Sequence, residues 1–352
     1  MIRKAIYQLY TLITAVIIVA SGAGLAWAMH EGVNKLPLRQ YFSRSHTNAI
    51  WDWTNVLNRD QSSVDELSRF MYLHQLNTVY VNIGPYAALR DDSNKDTSVE
   101  QKQYEQRLNT YITTLHKRNI TVMAAAGDVT WSNPLEWHKP LTVLHTVQAY
   151  NQSHPKAGFA GVEFDIEAYN QPGFDTGSIT TKALVLTDYL NMIDALSTDC
   201  QSFITKTKQP LELGFAIPYW FDNENGNIPS VTWHGLTGPT LFHLLDRLNK
   251  LPHSNVVVMA YRNAARGNDG VISHSRTEIE YAQTKAPNVQ VLIGQEVNDV
   301  EPAKITYFGE STTELSSQVR VIDGEFSRVH AYAGIAINDL AGLQIMESTS
   351  SR

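Results

Sequence analysis

Residues 49–57 read Ala49-Ile50-Trp51-Asp52-Trp53-Thr54-Asn55-Val56-Leu57, an apolar and aromatic run followed by a turn without glycine. That turn separates two parallel α/β architectures. A doubly wound open sheet usually places a glycine-rich phosphate-binding turn after its first strand. Thr54-Asn55-Val56-Leu57 is not such a turn. A closed (β/α)8 TIM barrel is therefore the expected fold, with the open sheet as the second choice.

Downstream, apolar runs recur at 78–84, 120–127, 159–167, 211–220, 256–261, 289–294 and 334–339. They are rich in Val, Ile and aromatic residues, and most close on Gly, Asn, Asp or Pro. Helix-period segments lie between them. Val64, Leu67, Phe70, Met71 and Leu73 mark one apolar face over 63–75, and Tyr104, Leu108, Tyr111, Ile112 and Leu115 mark another over 99–118. Segments 140–150, 181–205, 239–251, 276–285 and 314–329 follow the same logic. Strands alternating with helices in this way predict one barrel domain over 48–345, with 346–352 as a polar tail.

Ahead of the barrel, Arg3 and Lys4 precede an apolar stretch, and Ala26-Trp27-Ala28 fits a small-x-small cleavage site. Residues 1–29 read as a signal peptide or, uncleaved, as a transmembrane anchor, since Leu9 to Met29 is long enough to span a bilayer. Residues 30–47 are a polar connector. Positive charge before the apolar stretch places the barrel outside the cytoplasm, secreted or membrane-anchored.

An apolar fraction of 43% with 10% aromatics is enough for a substantial core. The net charge of −7 argues against a nucleic-acid partner, which would need a basic face. Cys200 is the lone cysteine, so neither an internal disulfide nor a cysteine-cluster metal motif is possible. The 12 histidines form no H-x-x-x-H or H-E-x-x-H, and there is no G-x-S-x-G elbow or Walker loop. No metal or cofactor is expected.

The run around the fourth strand, Gly158-Phe159-Ala160-Gly161-Val162-Glu163-Phe164-Asp165-Ile166-Glu167-Ala168-Tyr169, is the most informative for chemistry. On a strand Val162, Phe164 and Ile166 point one way, and Glu163, Asp165 and Glu167 the other, about 6–7 Å apart. In an ordinary antiparallel sheet such an acidic face is simply wet. In a closed barrel neither face is freely solvated, and crowded, desolvated carboxyls have raised pKa values, as a general acid requires.

Barrel active sites lie at the carboxyl ends of the strands. Those ends carry Trp51 and Trp53, Asp128 and Trp131, Tyr219 and Trp220, Tyr261 and Arg262, Glu296, and Asn338 and Asp339. Sugar C–H faces pack on flat rings while hydroxyls bond to Asp, Asn and Arg, so this rim predicts a polysaccharide or glycan partner. Some of these rings are expected to be barrel packing instead.

Ala160-Gly161-Val162-Glu163-Phe164-Asp165-Ile166-Glu167 resembles the D-G-x-D-x-D-x-E motif of glycoside hydrolase family 18, the chitinases and related endo-N-acetylglucosaminidases. Met259-Ala260-Tyr261-Arg262 resembles that family's M-x-Y-D on strand six. Ala160 and Arg262 depart from the pattern, Glu163 replaces Asp, and Asn338 stands where a strand-eight Trp is usual. The resemblance implies that Glu167 protonates the leaving oxygen. It also implies that Asp165 orients a substrate acetamido group acting as internal nucleophile and that Tyr261 hydrogen-bonds it. A second enzymatic reading pairs Glu167 with Glu296 as acid/base and nucleophile of a retaining 4/7-type glycosidase. A non-catalytic carbohydrate-binding barrel at the cell surface is the alternative from a different class.

Overall fold

The computed structural model describes residues 46–91, 96–223, 226 and 228–350. Its strands are β1 (Thr47–Asp52), β2 (Thr78–Asn82), β3 (Thr121–Ala126), β4 (Gly161–Phe164), β5 (Glu212–Pro218), β6 (Val231–Trp233), β7 (Leu236–Gly238), β8 (Ser254–Met259), β9 (Val289–Glu296) and β10 (Tyr332–Asn338). All but β6 and β7 close into a barrel in the order β1-β10-β9-β8-β5-β4-β3-β2. Every pairing around it is parallel, with Asn48 opposite Ile335, Ile50 opposite Val79 and Val162 opposite Leu213. The fold is a (β/α)8 TIM barrel. Strands β6 and β7 form a separate antiparallel hairpin, so β8, β9 and β10 are the sixth, seventh and eighth strands of the barrel.

The surrounding helices are α1 (Gln61–His74), α2 (Gly84–Asp91), α3 (Ser98–His116), α4 (His138–Ser153), α5 (Ile179–Thr207), α6 (Thr240–Leu248), α7 (Arg276–Lys285), α8 (Thr312–Phe326) and α9 (Leu340–Ser350). Side-chain caps start several of them where the sequence changes period: Asp60 accepts from the Ser63 N–H, Ser178 from Thr181 and Ser311 from Glu314. The apolar face of α1 that buries Val64, Leu67 and Met71 is the one the 3.6-residue period marks.

Alternation along the strands sorts the core into two shells. Ile50, Val79, Val122, Val162 and Phe164 point outward under the helices. Trp51, Tyr80, Met123 and Met259 fill the barrel interior, with Ala125, Ala216 and Ala336 making room for them. Because parallel strands are buried on both faces, they read as nearly continuous apolar runs.

The differences from the sequence reading are local. The run 159–167 is regular strand only over Gly161–Phe164. The β6–β7 hairpin and α2 gave no signal, since three-residue strands are too short to show alternation. Helix α9 continues to Ser350, into the stretch read as a tail. Residues 1–45, on which the export or anchor reading and most of the expected connector fall, lie outside the described residues. Among those described, no helix is long and apolar enough to cross a membrane.

Candidate active site

The acidic stretch begins inside the barrel. Glu163 follows outward-facing Val162 and is 0% exposed. Neither of its oxygens has a hydrogen-bond partner among the described residues. Burial, then the charges of Glu212 and Asp165, push its carboxyl well above the usual range, so the protonated form is favoured. The room it occupies depends on Gly214 of the adjacent strand: a Cβ there would sit 2.0 Å from Glu163 Oε2 and 2.7 Å from Asn255 Oδ1.

Beyond Phe164 the chain leaves the strand, but the Asp165 N–H still bonds the Ala126 carbonyl at 3.1 Å. Asp165 therefore sits at the rim in register with β3. Its half-buried carboxyl has one oxygen without a partner. Burial, and then the neighbouring Glu167, raise its pKa to about 7. A short 3₁₀ turn over Ala168–Asn170 follows and folds two side chains back onto Glu167. The Tyr169 hydroxyl donates to Oε1 at 2.9 Å, and the Asn170 amide donates to Oε2. Glu167 is half-buried, and each of its oxygens accepts a hydrogen bond.

Tyr261, at the end of the sixth barrel strand, completes the cluster. Burial raises its phenol well above the usual value, and the charges of Glu296, Asp165 and Glu167 add to the effect. Tyr169 is raised by burial and by Glu167, Asp165 and Tyr261. The structure thus brings together Asp165, Glu167, Tyr261 and Glu296, with Glu163 one layer below. Tyr169, which the sequence places at the end of the fourth strand without a role, and Asn170, which it does not single out, both hold Glu167. An aromatic two residues past the last carboxylate was the available signal.

Glu296 has a different environment. Its Oε1 accepts from the backbone N–H groups of Val297 and Asn298 and from the Asn298 amide, and its Oε2 accepts from Asn338 Nδ2 at 2.7 Å. Burial raises its pKa against these bonds. Asn338 then passes the constraint on, because its Oδ1 accepts from Trp53 Nε1 at 3.1 Å. Glu296, Asn338 and Trp53 form one braced line from the seventh strand across the eighth to the first.

The remaining candidates divide by location. Trp51 is 2% exposed inside the barrel, packed on Tyr80 at 5.1 Å between centroids, and offers no open face. Asp128 is exposed and caps its own turn, accepting from Thr130 N and Oγ1, and these bonds hold its pKa low. Trp131 is half-buried three residues on. Asp339 caps α9 through the Gly342 N–H. Trp220 is half-buried and meets Tyr169 edge-on at 4.8 Å, which sets an aromatic wall against the Glu167 partner. Tyr219 and Arg262 lie together, the guanidinium donating to the phenol oxygen at 3.2 Å. Among the described residues, no group of His, Cys, Asp and Glu is arranged to hold a metal ion.

The third strand fixes Asp165 through Gly127. A Cβ at Gly127 would lie 1.7 Å from the Asp165 carbonyl oxygen, a backbone atom that cannot rotate away. Gly127→Ala is expected to destabilise the fold by about 1–3 kcal/mol through overpacking. A melting temperature equal to the wild type would show that the rim yields freely at this point.

No family model matches the chain, and no curated protein matches it. Among solved structures it is similar to a GH18 chitinase from Pseudoalteromonas aurantia, at 12% identity and a TM-score of 0.49, over 87% of this chain and 100% of that one. It is also similar to a GH18 chitinase from Cycas revoluta in complex with (GlcNAc)3, at 10% identity and a TM-score of 0.48, over 87% and 100%. A third is the xylanase-alpha-amylase inhibitor protein XAIP-I in complex with trehalose, at 12% identity and a TM-score of 0.42, over 87% and 96%. Each is a protein the chain is similar to; its own strand order establishes the barrel.

Proposed function

We propose that the barrel mouth binds a polysaccharide or glycan, N-acetylated at the ring next to the scissile bond, and hydrolyses it with Glu167 as general acid. The observation that carries this reading is the Asp165–Glu167 pair at the rim. One carboxyl is held by Tyr169 and Asn170, and the other is half-buried with a free acceptor oxygen. In this scheme Glu167 gives its proton to the glycosidic oxygen as the bond to the anomeric carbon breaks. The substrate's acetamido oxygen attacks that carbon, and Asp165 accepts from the acetamido N–H and steadies the positive charge that develops. Water then opens the cyclic intermediate at the anomeric carbon as Glu167 takes back a proton. Tyr261, among the same carboxylates, donates to the acetamido oxygen. The four donors on Glu296 favour a bracing role over that of a nucleophile, which needs a free oxygen aimed at the sugar.

The experiment is hydrolysis of N-acetylated against non-acetylated β-linked oligosaccharides by the full chain. Turnover restricted to the acetylated series supports the internal nucleophile, and equal turnover of both removes it. Export or membrane anchoring through residues 1–29 belongs to the same reading and rests on the sequence pattern alone.

Trp220 supplies a second check on glycan binding. Trp220→Ala is expected to weaken oligosaccharide binding about tenfold, the equivalent of about 1.4 kcal/mol, with a smaller effect on the melting temperature. Unchanged binding with a large loss of stability would reassign the ring to packing against Tyr169 and Phe221.

A further inference from the structure

Between the loops after the sixth and seventh barrel strands, one carboxylate is shared by three basic side chains. Asp269 Oδ1 accepts from Arg262 Nε at 2.8 Å and lies 2.9 Å from His274 Nε2, while its Oδ2 accepts from Lys304 Nζ at 2.7 Å. Asp269 and Lys304 are 52% and 58% exposed, whereas the Arg262 and His274 side chains are 11% and 14% exposed. Arg262 is locked further by its Nη1 bond to the Tyr261 carbonyl at 2.7 Å and by packing over the Tyr219 ring at 5.3 Å. Tyr219 also packs on His274, with centroids 4.0 Å apart.

Two permanent cations and a histidine around one carboxylate leave surplus positive charge. A brace tying loops together would need only one cation, and the backbone already joins these loops through Asn263 N–H to the Lys304 carbonyl. The chain as a whole carries −7, and the neighbouring mouth is lined by Asp165, Glu167 and Glu296, so this patch is opposite in sign to its surroundings. The Tyr219 oxygen accepts from Arg262, which leaves its own O–H to donate outward. Arg262 is the residue after Tyr261, so the cationic knot adjoins the proposed reaction centre.

We propose that Tyr219, Arg262 and Lys304 form a subsite for an anionic substituent, a carboxylate or sulfate, on a sugar ring bound where the loops after the fifth, sixth and seventh barrel strands meet, so that the substrate class is acidic glycan. This rests on the glycan reading above and adds to it the charge of the substrate. Arg262, whose Nε and Nη2 both meet Asp269 Oδ1 at 2.8 Å, adds charge and orients the Tyr219 hydroxyl. That O–H and an ammonium with N–H groups facing water suit an oxyanion that two donors can share.

The test compares three oligosaccharides of equal length on the full chain by calorimetry: neutral β-1,4 N-acetylglucosamine, the same chain with alternating glucuronate, and a sulfated N-acetylglucosamine chain. At low salt an anionic chain is expected to bind about tenfold or more tightly than the neutral one, the scale of charge-assisted hydrogen bonds. That ratio should contract toward one near 0.5 M salt, where exposed charges are screened. Which anionic chain binds better identifies carboxylate or sulfate. Lys304→Ala and Arg262→Gln are each expected to lower the anionic-to-neutral ratio about threefold or more. Lys304 is the cleaner change, since Asp269 keeps two other partners. A wild-type ratio near one, or a ratio unchanged in Lys304→Ala, overturns the subsite while leaving the glycan reading intact. Binding of none of the three removes the glycan reading itself, and the subsite with it.

Discussion

Glu167→Gln is expected to lower hydrolysis of an N-acetylated oligosaccharide by about 10²–10⁴-fold, the usual contribution of a positioned general acid. Binding and melting temperature should stay close to wild type. Glutamine keeps the shape, and its carbonyl can still accept from the Tyr169 hydroxyl. The Asn170 amide, which now donates to Oε2, has only to turn over to meet the new NH2 group. What glutamine cannot do is supply a proton to the leaving oxygen. Asp165→Asn should lose a similar factor on the same substrate, because it no longer stabilises the charge that builds on the acetamido group. If the two-carboxylate scheme operates instead, Glu296→Gln becomes the change that abolishes turnover at full binding, and activity no longer depends on the acetamido group. A measured rate left intact in Glu167→Gln would end the assignment. Glycan binding by the wild type without turnover across a broad panel would turn the protein into a carbohydrate-binding barrel.

The barrel was legible because its strands are buried on two faces and its helices on one, and both burial patterns are local properties of the sequence. The fourth strand showed its acidic side for the same reason, since alternation put Glu163 inward from Val162 and Phe164. Closure of the barrel is not local. Trp53 and Asn338 stand 285 residues apart and meet only because β1 pairs with β10. Trp51 and Trp53 looked equivalent as two tryptophans at a strand end. They share a face of the strand, and two residues of rise leave the first inside the barrel while Trp53, past the end of β1, reaches across the rim to Asn338. The sharing of Asp269 among Arg262, His274 and Lys304 was equally hidden, because it joins the loops after the sixth and seventh barrel strands, and loops carry no period. Arg262 stood out as a departure from a motif, and only the fold supplies the partners that give the departure a physical meaning.

Asp165→Asn is expected to stabilise the protein at neutral and alkaline pH while disabling it, and to do so with a characteristic pH dependence. Burial and Glu167 raise the Asp165 carboxyl from 3.8 to about 7. The folded chain therefore holds a proton that the unfolded chain releases between about pH 4 and 7. Stability from this group is fully present below the ordinary carboxyl value and is lost as pH rises through about 7. At about 1.4 kcal/mol per pH unit the loss is at most about 4 kcal/mol, and less because Asp165 keeps some contact with water. Asparagine is neutral throughout and removes that slope, and it also relieves Glu163 of one of the charges that raise its pKa. Melting curves of the two proteins should therefore differ by a constant offset near pH 4 and diverge in favour of the variant toward pH 8. Taking the difference cancels the carboxylates whose pKa is lowered in the fold, such as Asp128 and Asp269, since they act alike in both chains. Parallel curves across that range would mean that Asp165 titrates alike in the folded and unfolded states. The desolvation argument for its role beside Glu167 would then fail with it. Divergence would show that the burial which makes Asp165 costly to the fold is also what leaves it a free acceptor at the mouth of the barrel.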